Sequence, residues 1–359
     1  MSSYGQTCIT NFILLRFPSM KRILIVRVDK LGDFCHSLPA ISLLKRSMPD
    51  AQIDVIVSPL IHSLACQFDC IDNLLIYKKD DPNLVELIKA KGYDAAIVMH
   101  SHKDMTKVIK AAGIPYRLGQ RRKWFQYLYT HRAPLNRSAC LKPEWRYCTD
   151  HIEYFLCQQY IPPADIKWRL WDVSEERAQW QQFYGKTANE KLIFIHPGSG
   201  GSEGSLSPAQ FATMADVIAK ESGVEVKFIV TFGPTEEPLA ASVVELITAD
   251  GHDALMAKPI KDIGEFSRSL VAADMMIAGS TGPLHVASLH NAITVGFYPH
   301  GSRDDKIRWQ TLSDDYKRLS FSPPMGERTG EDLSLIDAKY VGSQAALKLK
   351  SLNPLSINI

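Results

Sequence analysis

The 359-residue sequence predicts an α/β protein built from two doubly wound parallel sheets in tandem. Three observations carry this. Short aliphatic runs such as ILIVRV (23–28) and KLIFIH (191–196) are apolar throughout rather than alternating, as in strands covered on both faces. Each is followed by a stretch with helical spacing. The whole pattern restarts after a less regular middle.

In the first half, ILIVRV leads into the polar turn DKLGD and a helix through SLPAISLLKRSM. IDVIVS (53–58) precedes a helix from about Pro59 to Phe68. NLLIYK (73–78) precedes VELIKAKG, and DAAIVM (94–99) follows. In the second half, KLIFIHPG (191–198) runs through a Gly/Ser loop into SPAQFATMADVIAKES. VEVKFIVTFG, ASVVELITAD, DALMAK, IGEFSRSLVAAD, MMIAGS, PLHVASLHN and ITVGFYP continue the alternation, and LIDAKYVGSQAALKLKSL reads as a terminal helix. The expected domains are 20–175 and 176–330, with 331–359 as a C-terminal helical segment; Trp168, Trp171 and Trp180 sit among polar residues at the junction.

A net charge of +2 gives no global attraction to polyanions. Seven scattered cysteines without a framework fit reduced thiols in a cytoplasm, and Cys66 and Cys70 have no second pair with which to hold zinc. Residues 1–19 contain FILL but no basic n-region or cleavage site, and read as an extension before Met20. No segment has the roughly 18 unbroken apolar residues of a membrane span.

Ligands of open α/β sheets sit beyond the carboxyl ends of strands. Asp33 lies just past such an end, beside Gly32, and is either a helix cap or a general base. HPGSGGSEGSLSP (196–208) follows a strand and precedes a helix; its glycines and serines, Ser199, Gly200, Gly201 and Ser202 among them, suit an anion. It is neither a Walker loop nor GxGxxG. GSTGPLH (279–285) is a second helix start of this kind, with Ser280, Thr281 and Gly282 before Pro283; His285 is a phosphate donor or a packed ring. Two such loops favour a diphosphate ligand. Glu236, in TFGPTEEP, is placed to accept from ribose hydroxyls or simply to start a helix. Arg117, Arg121, Arg122, Lys123, Arg132 and Arg137 interleave with Trp124, Phe125, Tyr127 and Tyr129, a mixture suited to an anionic, partly apolar partner. No nucleic-acid motif accompanies it.

Together these stretches resemble the ADP-heptose:lipopolysaccharide heptosyltransferases, glycosyltransferase family 9, from Met20 to about residue 350. ILIVRVDKLGDFCHSLPAI is similar to that family's strand, LGD turn and H-[ST]-L-P-A helix; HPGSGG and STGPLHVAS are similar to its nucleotide-side signatures. The resemblance implies a GT-B fold of two Rossmann-like domains with the active site between them. The N-terminal domain takes the acceptor, the C-terminal domain takes the sugar nucleotide, and the last helix crosses back to the first domain. It further implies an inverting, metal-independent transferase without cofactor, with Asp33 as the base. ADP-heptose is then the donor and a lipopolysaccharide inner-core glycolipid the acceptor. Lys30, His36, Arg121, Arg122 and Lys123 would contact the acceptor, and the enzyme would sit in the cytoplasm, peripheral to the inner membrane. The sequence departs from the family in two places. EGSLSP stands where many relatives carry a Lys after HPG, and Ser280 stands where an Asp is common. Arg27 and Lys30 are the candidates for the missing cation. The rival implied by these losses is a non-catalytic sugar-nucleotide or glycan-binding protein.

Overall fold

The computed structural model describes residues 20–200, 206–300, 305–326 and 330–352. The chain divides into two compact units between Leu170 and Trp171.

In the first unit the elements run β1 (Arg22–Val26), α1 (Leu31–Ser47), β2 (Gln52–Val57), α2 (His62–Ala65), β3 (Asn73–Ile76), α3 (Leu84–Lys91), β4 (Ala95–Val98), α4 (Lys103–Ala111), β5 (Tyr116–Gln120), β6 (His131–Ala133) and α5 (Glu144–Gln158). All strands are parallel, in the order β3-β2-β1-β4-β5-β6. Ile23, Leu24 and Ile25 of β1 are fully buried, flanked by β2 and β4. Their lack of alternation follows from helices covering both faces.

The second unit repeats the design with α6 (Arg177–Phe183), β7 (Lys191–His196), α7 (Pro208–Glu221), β8 (Val226–Val230), α8 (Glu237–Ala249), β9 (Ala254–Met256), α9 (Ile263–Ser269), β10 (Met275–Gly279), α10 (Gly282–Leu289), β11 (Ile293–Phe297), β12 (Arg318–Phe321) and α11 (Ala338–Ser351). Its parallel order is β12-β11-β10-β7-β8-β9. Ile193, Ile195, Phe228, Val230, Met275, Ile277, Val295 and Phe297 share its core with Phe211 and Met214 of α7. Ser207 and Gln210 close α7 with a reciprocal capping box, and Pro208 occupies its first turn.

Each sheet therefore reverses direction beside its first strand, between β1 and β4 and between β7 and β10. These are the switch points where such sheets bind ligands.

Several features differ from the sequence reading. β5, β6, β12 and α5 fall in segments read as irregular. The terminal helix is assigned to the second unit and packs on α7; Gly342 lies so close to Val217 and the Met214 carbonyl that a Cβ would clash there. Cys35, Cys66, Cys70, Cys140 and Cys148 are free thiols. Among the described residues no helix is long and apolar enough to cross a membrane.

Candidate active site

β1 ends at Val26, and the chain keeps strand-like pairing for one more residue, Arg27 N–H donating to the Ile56 carbonyl at 3.0 Å. α1 begins within the LGD turn itself. Lys30 is its extended N-cap and makes no side-chain capping bond, while Asp33 lies in the first helical turn. The Asp33 carboxylate thus faces the positive end of the helix without being its cap, which removes the capping alternative.

Its partner is Arg27. This side chain is fully buried, with Nε and Nη2 donating to the Asp33 carbonyl at 3.0 and 2.8 Å. Nη2 also donates to Asp33 Oδ1 at 3.0 Å. Nη1 lies 3.4 Å from Asp29 Oδ2, and Nη2 lies 3.8 Å from Oε1 of the fully buried Glu144 at the start of α5. Glu144 is ion-paired with Arg137, whose Nη1 donates to the Met99 carbonyl at 2.6 Å. Asp29 Oδ1 meets His100 Nδ1 at 2.9 Å, across the β1/β4 switch point. The result is one charged chain: His100, Asp29, Arg27, Asp33 and, through Glu144, Arg137.

The electrostatics follow from packing. Burial alone would push the Asp29 carboxyl up, but the His100 hydrogen bond with Arg27 and Arg137 outweighs it and holds Asp29 down at about 2. Burial opposes the charge on Arg27, yet Asp33, Cys148 and Asp29 leave its pKa above the ordinary value. The neighbouring His151 ring, fully buried on α5, is pushed down to about 3 by burial and by Arg137. Asp33 itself remains a fifth exposed, and its Oδ2 has no hydrogen-bond partner among the described residues. One oxygen is locked and the other is open, as a positioned base requires.

Two placements correct the sequence reading here. His36 is fully enclosed on the packed face of α1 and has no surface to offer an acceptor. Arg27 is spent on carboxylates inside the first unit, so it does not replace the missing lysine. Lys30 is exposed, as are Arg121, Arg122 and Lys123 in the turn between β5 and β6. In that turn Trp124 and Tyr127 stand 69% and 63% exposed, and Lys103 Nζ lies 4.6 Å above the Trp124 ring.

In the second unit the loops after β7 and β10 flank the switch point, since Ala278 pairs with His196. Glu236 ties the first of them down. Its Oε1 accepts from Gly200 N–H at 2.9 Å, and its Oε2 accepts from Gly233 N–H at 2.8 Å and lies 3.6 Å from His196 Nε2. Gly200 has φ +60°, and a Cβ on Gly198 would collide with the Glu236 carboxylate, so both positions need glycine. The sequence left Glu236 between a ribose acceptor and a helix start; the structure puts it at the N-cap of α8, with both its oxygens shaping the loop. His196 also shares a 3.0 Å hydrogen bond with Thr231, and burial lowers its pKa although Glu236 pulls the other way.

Ser199 and Gly200 lie at the rim of this loop, half-buried and exposed respectively; Gly201 and Ser202 lie outside the described residues. Across the switch point Thr281 is the extended N-cap of α10, with Gly282 and Pro283 opening the helix. The buried Thr281 Oγ1 has no partner among the described residues. Ser280 Oγ lies 3.4 Å from Nε2 of His285, a buried ring that supports the serine from behind. These hydroxyls and the unpaired N–H groups of the first turn suit an anion. Among the described residues no group of three or more His, Cys, Asp or Glu side chains is placed to hold a metal ion.

Burial pushes His285 down to about 4. The unfolded chain, with histidine near 6.5, binds a proton between about pH 6.5 and 4 that the folded chain does not, so stability falls as pH falls through that window. The loss approaches roughly 3 kcal/mol for this histidine. Thermal melting at pH 7.5 and 5 should therefore show a smaller acid-induced drop in Tm for His285→Gln than for the wild type; an equal drop would contradict this burial.

The family profile described as "Glycosyltransferase family 9 (heptosyltransferase)" matches residues 83–325. The chain belongs to glycosyltransferase family 9. A Haemophilus influenzae protein, described only provisionally as a glycosyltransferase, is 36% identical over 352 residues, covering 95% of this chain and 100% of that one. Two solved structures share the fold. The Veillonella parvula family 9 glycosyl transferase has a TM-score of 0.76 at 20% identity, over 92% of this chain and 98% of its own. The Escherichia coli ADP-heptose lipopolysaccharide heptosyltransferase II has 0.74 at 19% identity, over 93% and 100%. The chain is thus a heptosyltransferase-like family 9 enzyme, and its two parallel six-stranded units give it the GT-B type of fold.

Proposed function

We propose that this family 9 enzyme transfers heptose, or a related sugar, from a nucleotide-sugar to a lipopolysaccharide core acceptor with inversion and without a metal ion. The donor named in the related Escherichia coli enzyme, ADP-heptose, is the first choice here. The single observation that carries the reading is Asp33: one carboxylate oxygen fixed by a buried arginine, the other open, at the switch point of the first sheet.

Each unit has its part. In the first, Asp33 Oδ2 accepts the proton of an acceptor hydroxyl as that oxygen bonds to the anomeric carbon. The bond from that carbon to the diphosphate breaks in the same displacement, and the diphosphate carries away the electron pair. In the second unit, Ser199, Gly200, Ser280, Thr281 and Gly282 meet the charge that develops on the departing diphosphate. With no lysine in EGSLSP, hydroxyls, N–H groups and the α10 dipole carry that task. Lys30, Arg121, Arg122 and Lys123 supply cations to an anionic glycolipid. The exposed Trp124 and Tyr127, in the same turn as Arg121, Arg122 and Lys123, suit a membrane face from which such a lipid is reached and support a peripheral position at the cytoplasmic side of the inner membrane.

Thermal-shift measurements with ADP-, UDP- and GDP-sugars test the donor, followed by transfer to inner-core lipopolysaccharide. A shift specific to ADP compounds and a product one sugar larger are expected. Stabilisation by another nucleotide alone would contradict ADP-heptose, and no product with any donor would contradict the transfer.

A further inference from the structure

His100 has no role in the reading above, yet its placement is unusual for a surface histidine. It stands two residues past the end of β4, with a side chain 44% exposed. Its Nδ1 is 2.9 Å from Asp29 Oδ1. An ionised carboxylate only accepts hydrogen bonds, and Asp29 is held at about 2, so Nδ1 must carry the proton. The ring is therefore fixed in orientation and tautomer, and Nε2 is its remaining polar atom, with no partner among the described residues.

The ring is not the sole partner of Asp29, because Arg27 lies 3.4 Å from its other oxygen. Immobilising a half-exposed side chain costs conformational entropy that a merely decorative contact would not recover. The same arginine locks Asp33, so His100 and Asp33 are the two outward ends of one rigid chain, His100–Asp29–Arg27–Asp33. Each end presents one open polar atom, Nε2 on the segment after β4 and Oδ2 in the first turn of α1, which follows β1.

We propose that His100 contacts the acceptor sugar, with Nε2 hydrogen-bonding a hydroxyl group other than the one Asp33 deprotonates. Asp29 is the positioning residue that aims the ring. Two fixed polar atoms then set which face and which hydroxyl of the acceptor meet the base, so His100 determines acceptor specificity. The neutral ring accepts from the hydroxyl and the charged ring donates to it, so the contact survives either state. This rests on the reading that the first unit binds a sugar acceptor.

The test is steady-state kinetics of His100→Ala and His100→Gln with the acceptor and donor varied separately. His100→Ala is expected to raise the acceptor KM by about tenfold, the worth of one good hydrogen bond, and to leave the donor KM unchanged. His100→Gln, which keeps one polar atom at the tip, is expected to recover part of the loss. In nitrogen-15 NMR the wild-type ring is expected to show the Nδ1–H form, and Asp29→Ala to lose that bias, a change that altered folding alone would not produce. An acceptor KM within about twofold of wild type in His100→Ala, or an equal rise in donor KM, overturns the proposal. Should the wild-type protein transfer nothing, deacylated inner-core oligosaccharide is titrated directly. A shift of the His100 ring signals then upholds the subsite while the transferase reading falls, and unchanged signals overturn both.

Discussion

Asp33→Asn is expected to lower kcat by about 10²–10⁴-fold while leaving nucleotide binding intact, the usual worth of a positioned general base. The substitution keeps the shape of the side chain, and the amide oxygen still accepts from Arg27 Nη2, so the bond now 3.0 Å long survives. What disappears is the capacity to take a proton at Oδ2. The thermal shift with the nucleotide-sugar should match that of the wild type, because the loops assigned to the nucleotide, after β7 and β10, belong to the other unit. Retention of more than about a tenth of wild-type turnover would remove Asp33 from the mechanism, since even the low end of general-base contributions is larger.

The largest loss of stability is expected for Arg27→Leu. Three carboxylates, Asp29, Asp33 and Glu144, surround this fully buried guanidinium. Removing it leaves charges stranded in a dry interior, which costs about 3–5 kcal/mol for a broken buried pair. Glu144 keeps Arg137, and Asp33 is partly solvated, so the lower half of that range applies. Activity should fall further than stability, because Asp33 loses both its orientation and its neighbouring positive charge. Arg27→Lys restores charge but not the fork that grips the Asp33 carbonyl and Oδ1 together. It should therefore regain much of the Tm and little of the kcat. Calorimetry beside a transfer assay separates the two effects; a Leu variant that melts and turns over like the wild type would show that the charged chain is incidental.

How much of this was legible in the sequence depends on how local the signal was. β1, β7 and β10 declare themselves because a strand buried on both faces must be apolar throughout, and the loops after them carry Gly, Ser and Asp at helix starts. α5 and β5, β6 and β12 do not. The strands are three to five residues long, and α5 spreads Glu144, Asp150 and His151 over its buried face, so no apolar stripe marks it. The Asp33 turn was readable, but its anchor was not. Glu144 and His100 join the chain from far along the sequence; His100 is 71 residues from Asp29. The one local hint was an arginine at the end of an all-apolar strand, where an unpaired charge has no place.

His36 and Glu236 show the opposite failure. His36 shares the motif with Asp33 and was read as sharing its surface, yet it lies three residues on, well inside a helix whose positions 34 to 44 are all buried. Glu236 was read as reaching outward from a helix start. The glycines of two loops leave their N–H groups pointing inward, and the carboxylate is needed there to satisfy them.

The anomeric configuration of the product tests the central claim most directly. If Asp33 deprotonates the acceptor hydroxyl for a single displacement at the anomeric carbon, the new glycosidic bond has the configuration opposite to that of the donor, as proton NMR of the purified product will show. A product that retains the donor configuration would require two displacements or a front-face route, and would contradict this account.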